Sequence, residues 1–365
     1  MDSLSQIVLG GALAAAIAPA RHRRAALAAG AVLGTLPDLD SVPMWFLGLD
    51  PVTSMTWHRG PSHSLLVLVP LAALLWWLFK RTGGRVAESP VRWYGAITLA
   101  LVTHPLLDAF TVYGTQLWWP LPPSPTMWSS VFIIDPLYTL PLLLACGFAL
   151  LRAWRPLAQR ALVLGLVLST AYLGWSLLAK ALVERAADRT LATTGLQDAP
   201  RFSVPMPFNT LLWRVVVMTP DGFLEGERSL VADEGPMVFR AYASETRALE
   251  ETSGFPAVRR LLWFNRGFMK AEQRERRLVL SDLRMGAEPD YSFRFVVAER
   301  EGDGWREIRP GRIAWPWEAR RRLSSMWERV WRRPAEEAAL AAAGTTVVQA
   351  AAANPGETPA ASASK

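Results

Sequence analysis

The chain has 365 residues, of which 51% are hydrophobic and 19% charged, with one cysteine, 17 tryptophans and a formal net charge of +7. The charge is unevenly laid down: residues 1–182 hold 12 basic and 7 acidic residues and all four histidines, and residues 183–365 hold the other 27 basic and 25 acidic residues. An average soluble domain is about 25% charged, so the first half is too apolar for water, which excludes a single uniform globular domain and a chain disordered throughout. The lone Cys146 rules out a disulfide scaffold and, lying in an apolar run, reads as a small buried hydrophobe.

In chain order, apolar stretches that span or nearly span a hydrocarbon core of about 30 Å fall near 4–20, 25–36, 64–79, 93–110, 131–151 and 160–179. The first lacks a basic n-region and is followed by Arg21, Arg23 and Arg24, so it reads as a retained helix rather than a signal peptide. Beyond Lys180 the pattern changes. Leu211–Met218, the turn Thr219-Pro220-Asp221-Gly222 and Phe223–Leu230 predict strand, turn, strand. Met237–Tyr242 and Tyr291–Ala298 predict further strands, and Ser244–Glu251 and Ala257–Phe264 predict helices. Residues 316–333 predict a helix in which Trp317, Trp327 and Trp331 with Arg320, Arg321 and Arg322 make either an interfacial amphipathic face or one packed face of a solvated helix. The expected architecture is an α-helical membrane domain of about six hydrophobic segments (1–182), then a smaller α+β, strand-rich soluble domain (183–334). An Ala/Pro-rich tail (335–365), disordered beyond 344, follows.

Ten of the twelve basic residues of the first half form three clusters: Arg21, Arg23, Arg24; Lys80, Arg81, Arg85, Arg92; and Arg152, Arg155, Arg160. Each lies between an odd-numbered apolar segment and the next, so the positive-inside rule puts all three on the cytoplasmic face. The strand-rich region then lies outside, in the periplasm of a bacterial cell. Of the seven acids only Glu88 sits with these clusters.

The acids and histidines concentrate in three short stretches: Leu36-Pro37-Asp38-Leu39-Asp40, His58-Arg59-Gly60-Pro61-Ser62-His63-Ser64 and His104-Pro105-Leu106-Leu107-Asp108. Imidazole nitrogen and carboxylate oxygen are the ligand types of zinc, manganese and non-haem iron. His104 and Asp108 are i and i+4, so a helix brings both to one face. Asp38 and Asp40 would point the same way from an extended turn, and the Gly-Pro turn could fold His58 and His63 inward. The stretches Arg24–Asp38 and Arg92–His104 are too short to cross the core, which sets Asp38, Asp40, His104 and Asp108 at a similar depth below the outer surface. Carboxylates there cost several kcal/mol each unless paired or hydrated, and a bound dication offsets that cost. A proton relay or ion pathway is the competing reading of the same residues. Asp2 and Asp135 read as helix caps.

On these residues the sequence resembles the YdjM-type family of inner-membrane, metal-dependent hydrolases. The resemblance rests on Met1-Asp2-Ser3-Leu4-Ser5-Gln6 with Leu9-Gly10, on LPDLD, on HRGPSHS, and on His104-Pro105-Leu106-Leu107-Asp108 continuing to Thr111, Tyr113-Gly114-Thr115 and Pro120. It covers about residues 1–140. Some relatives carry His where Gln6 stands, which implies one ligand fewer here, or water or the Gln amide in its place. The expected ligands are Asp38, Asp40, His58, His63, His104 and Asp108, enough for one or two divalent ions, zinc first, with manganese or iron as alternatives. Arg59 either pairs with a phosphate through its planar fork or neutralises Asp50, and Ser62 and Ser64 are candidate polar donors beside the ligands. The expected function is metal-assisted hydrolysis of a lipid or lipid-linked phosphoester reached from the outer leaflet. The alternatives are an ion- or proton-coupled transporter and a non-catalytic membrane anchor. A nucleic-acid partner is not expected, because the charge of the second half nearly balances.

Overall fold

The computed structural model describes residues 1–314 and 319–349. Helices dominate the first half: α1 (Ser3–Ile17), α2 (Arg23–Thr35), α3 (Ser41–Phe46), α4 (Pro51–Trp57), α5 (Leu65–Arg81), α6 (Arg85–Glu88), α7 (Pro90–Ala109), α8 (Pro136–Leu151) and α9 (Pro156–Ala192). Asp2, Asp50 and Asp135 cap α1, α4 and α8 by accepting from backbone N–H groups of the first turn, which satisfies donors that a helix start leaves open. The α1 and α2 axes approach closely because glycines face each other: a Cβ on Gly30 would stand 2.2 Å from the Gly10 carbonyl oxygen. Small residues at such crossings are a membrane-helix device, and here they seat Gln6 against Gly34.

The six expected apolar segments coincide with α1, α2, α5, α7, α8 and α9, but six membrane segments are not supported. Two stretches, Ala20–Phe46 and Pro156–Ala192, are long and apolar enough to cross, and a third counts if Pro51–His63 and Leu65–Arg81, bent by 47°, form one broken span. Two segments fail on length: the 15 residues of α1 and 16 of α8 reach only about 22–24 Å at 1.5 Å per residue, short of a core of about 30 Å. The 20 residues of α7 are long enough, but with Arg92, His104 and Asp108 among them they are not apolar enough.

The three basic clusters meet at one end of the bundle. Arg23 donates to the Ala153 carbonyl and to Gln159 Oε1 (2.9 Å), Arg24 to the Leu150 carbonyl (3.0 Å), and Arg21 pairs with Glu88 (2.9 Å). The α1–α2 turn thus touches both the α5–α7 and the α8–α9 turns, and the stretches bearing Asp38, His63, His104 and Asp108 lie at the opposite ends of these helices.

The second half is strand-rich. A five-stranded sheet runs in the order β1 (Arg201–Pro205), β2 (Leu212–Thr219), β3 (Gly222–Ser229), β4 (Phe239–Ala243), β11 (Val347–Gln349), antiparallel except for β4–β11. After α10 (Thr246–Glu251) and α11 (Pro256–Asn265), strands β5 (Met269–Arg274), β6 (Arg277–Asp282), β9 (Arg294–Glu301) and β10 (Gly304–Arg312) form a second sheet, order β10-β9-β6-β5. A two-stranded ribbon, β7 (Gly286–Ala287) with β8 (Asp290–Tyr291), lies between β6 and β9 in the chain. Helices α12 (Ala319–Trp331) and α13 (Ala335–Ala342) precede β11.

The expected boundary at residue 182 falls inside α9, whose last turns place Val183, Ala187 and Leu191 in one core with Trp213, Val215 and Phe239. In the tail, α13 forms before 344, and beyond it, where disorder was expected, β11 pairs with β4 because its backbone finds a free sheet edge. Residues 350–365 lie outside the described part. On α12, Arg329 makes a two-pronged ion pair with Asp233 (2.8 and 2.7 Å) while Trp327 and Trp331 stay half exposed. Trp317 and the side chains of Arg320, Arg321 and Arg322 lie outside the described residues.

Candidate metal centre

Three local structures deliver four side chains to one point. After α2, the chain turns through a 3-10 stretch, Leu36–Asp40, with Pro37 in its first turn, and presents Asp38. A second 3-10 turn, Pro61–His63, presents His63. It is entered through Gly60, where a Cβ would stand 2.7 Å from the Trp57 carbonyl oxygen, so only glycine fits. On α7, His104 and Asp108 lie one turn apart and both are fully buried.

One donor atom from each of Asp38, His63, His104 and Asp108 lies within 4.8 Å of all the others. Most separations are much tighter. The two histidine Nε2 atoms are 3.1 Å apart, Asp38 Oδ1 is 3.4 Å from each, and Asp108 Oδ2 is 3.2 Å from His63 Nε2 and 3.4 Å from His104 Nε2. Metal–ligand bonds of 2.0–2.1 Å in tetrahedral geometry imply donor–donor edges of about 3.3 Å.

The hydrogen bonds on the far side of each ring decide what those atoms are. His104 Nδ1 meets the Gly34 carbonyl, which only accepts, so Nδ1 carries the proton. His63 Nδ1 lies 2.9 Å from Ser62 Oγ, whose own proton goes to Asp40 Oδ2 (2.8 Å), so Nδ1 of His63 donates as well. Both Nε2 atoms therefore present lone pairs toward two carboxylate oxygens. Asp108 Oδ2, fully buried, accepts no hydrogen bond among the described residues and has Arg59 Nε 3.3 Å away on the side of the cavity. Four converging acceptors repel one another unless a cation sits among them, and outer groups that lock the ring tautomer are the usual companions of metal-binding histidines. The donor set thus fits a metal ion.

Asp40 and His58, also expected as ligands, are placed one layer out. Asp40 accepts from His58 Nδ1 (2.9 Å), the Arg59 backbone N–H (3.1 Å) and Ser62 Oγ (2.8 Å). The extended-turn expectation fails because a 3-10 helix turns about 120° per residue, so Asp38 and Asp40 diverge instead of sharing a face. Ser62 links Asp40 to His63 and so stands behind a ligand. Ser64 does not: it caps α5 through Leu66 N–H (3.2 Å) and donates to the Trp119 carbonyl (2.7 Å). Arg59 turns inward, away from Asp50, with a left-handed backbone (φ 61°). Its Nε lies 3.3 Å from Asp108 Oδ2, it donates to Thr111 Oγ1 (2.9 Å), and its guanidinium covers the Tyr113 ring at 4.9 Å.

Two further contacts on Asp108 escaped sequence reasoning. Gln6 donates its amide to Asp108 Oδ1 (3.1 Å) and to the His104 carbonyl (3.2 Å), and the Met1 amino group also contacts Asp108 Oδ1. The signal was the Gln6 position in the opening motif; its Nε2 positions the carboxylate, and its Oε1 is buried with no hydrogen-bond partner among the described residues.

A family model described as YdjM inner membrane protein matches residues 1–183. The chain belongs to the YdjM inner membrane protein family. No curated protein and no solved structure matches it. All four converging residues and their supporting layer lie inside the YdjM match, and the strand-rich region lies outside it.

That region nevertheless adjoins the YdjM centre. A cavity of about 530 Å³ is bounded on the helical side by His58, Arg59, Tyr113 and Phe132 and on the strand side by residues such as Met206 and Ala287.

Proposed function

We propose that this YdjM member is a membrane-embedded, metal-dependent hydrolase acting on the phosphoester of a lipid or lipid-linked substrate. The observation that carries the reading is the convergence of four acceptors, five of their six separations at 3.1–3.4 Å, with far-side bonds that leave both histidine Nε2 atoms unprotonated. Asp38, His63, His104 and Asp108 would hold one divalent ion, with zinc preferred over manganese or iron because two imidazoles and two carboxylates at these spacings suit four-coordination.

A bound ion supplies Lewis acidity and a water acidic enough to be deprotonated near neutral pH. The protein's own residues do the rest. Asp40 and Ser62 hold the His63 ring in the tautomer that leaves Nε2 free. Arg59, anchored to Asp108 and Thr111 beside the cavity, offers a planar guanidinium for a phosphoryl oxygen. His58 has Nδ1 engaged by Asp40 and borders the cavity, so its other ring nitrogen can take or return a proton at the leaving oxygen.

In this reading the basic end of the bundle faces the cytoplasm of a bacterium and the metal centre and strand-rich region face outward. A membrane-impermeant maleimide should then label Asp221→Cys, but not Gly84→Cys, on intact spheroplasts in a Cys146→Ser background.

The test of the centre is metal analysis of detergent-purified protein. About one equivalent of metal is expected in the wild type, and little in His63→Ala and Asp108→Ala. No stoichiometric metal, or wild-type content in both variants, overturns the reading. Metal-loaded protein should release product from a phosphoester panel, and chelation should stop it.

A further inference from the structure

We propose that the cavity between the helical and strand-rich regions is the hydrocarbon-chain pocket of this same centre, filled from the side by one chain of a membrane phospholipid. The inference rests on the lipid reading above and deepens it by giving the strand-rich region a role. That region is the far wall of the pocket and sets which chains fit.

Position comes first. Arg59 and His58 line the cavity where it adjoins the metal cluster: Arg59 Nε is 3.3 Å from Asp108 and His58 Nδ1 2.9 Å from Asp40. A molecule lying in the cavity therefore has one end at the centre and the rest among apolar side chains such as Val131, Phe132, Val204 and Phe293. The volume, about 530 Å³, is in the range of sites that enclose a small molecule, typically about 300–1,000 Å³.

The charges in the far wall are already spent. Arg214 pairs with Glu225 (2.7 Å), and Arg284 pairs with Asp282 (2.7 Å) while its other nitrogen donates to the Tyr113 carbonyl (2.9 Å). Neither offers free charge to an ionic ligand deep in the cavity, so the pocket has a polar end at Arg59 and an apolar body. That asymmetry is the chemistry of a lipid and not of a soluble phosphate.

The way in is also apolar. Ile133 lines the cavity and is 38% exposed, and the strip continues outward through Ile134 (46%), Leu137 (60%) and Leu140 (49%) along the outer face of α8. A chain can pass along this strip from the bilayer without crossing water.

The experiment uses the full chain in nanodiscs containing phosphatidylethanolamine with a diazirine at the end of one acyl chain, irradiated and mapped by mass spectrometry. Label is expected on residues 204–207 and 285–287 of the strand-rich region. Ala287→Trp and Met206→Trp, which fill the cavity without touching the metal residues, should each lower that label several-fold and leave metal content at the wild-type level. Label confined to the outer faces of α8 and α9, or strand-region label unchanged by both variants, overturns the proposal. His63→Ala separates the two ideas: it removes metal and hydrolysis, and the label persists if the pocket is right. Metal binding without strand-region label sinks the pocket and leaves the metal centre standing.

Discussion

Asp40 illustrates how a carboxylate can matter to a metal centre without touching the metal. It gathers His58, Ser62 and the Arg59 N–H, and through Ser62 it fixes the His63 ring. Supporting partners of this kind are worth about 10–100-fold in metal affinity, so Asp40→Asn should weaken binding by that order in a competitive chelator titration, where His63→Ala should abolish it. Ser64→Ala should do neither. It removes the α5 cap, costing about 1 kcal/mol, seen as a lower unfolding temperature with unchanged metal content. At this scale the sequence was most legible where spacing and local structure agreed, as in His104 and Asp108 on one helix face. It was least legible at Asp38-Leu39-Asp40, where ligand and support are the same residue type two positions apart. The conformation of the turn separates them, and a 3-10 turn cannot be told from an extended one by its composition.

The elements that position the centre are held by backbone proximity. Gly10, Gly30 and Gly34 let α1 and α2 touch, and that contact brings the Gly34 carbonyl to His104 and Gln6 to Asp108. Gly30→Val should force the pair apart. Overpacking of this kind costs about 1–3 kcal/mol, and the expected outcome is a lower unfolding temperature together with reduced metal occupancy; full occupancy would show that the helix contact does not set the ligands. The apolar helices were readable from hydrophobicity alone, although their number exceeds the number able to span. In the second half, β2 and β3 were readable through the β-branched apolar run LLWRVVVM and the Thr-Pro-Asp-Gly turn after it. The strands β5 (MKAEQR) and β10 (GWREIRPGR) were not, because polar and arginine-rich segments become strands here only by pairing with β6 and β9.

Over the whole molecule, the charge imbalance between the halves announced two regions but not how they join. Val52, Met55 and Tyr113 of the helical region share a core with Leu261, Phe264, Leu280 and Phe295, and Arg284 ties the two together at the Tyr113 carbonyl. Arg284→Met should leave Asp282 buried and unpaired, a defect worth about 3–5 kcal/mol. Lower thermal stability and faster proteolysis near residues 113–134 are expected; unchanged values of both would show that the junction does not depend on this ion pair. Contacts between residues more than a hundred positions apart leave no local signature, so the cavity they enclose could not be foreseen.

The same junction constrains motion. The chain passes from one region to the other through α9, 37 residues without a break, about 55 Å at the usual rise. A flexible linker would let the strand-rich region swing freely as a detached lid. A continuous helix acts as a lever arm instead, so a tilt imposed on its apolar end displaces the sheet packed on its other end. Any breathing of the cavity must then come from α9 leaning as a unit or from local yielding of the loop at 113–134 and of α12, whose Leu323 and Met326 also line the cavity, and it will be small and correlated with how the bundle sits in its surroundings.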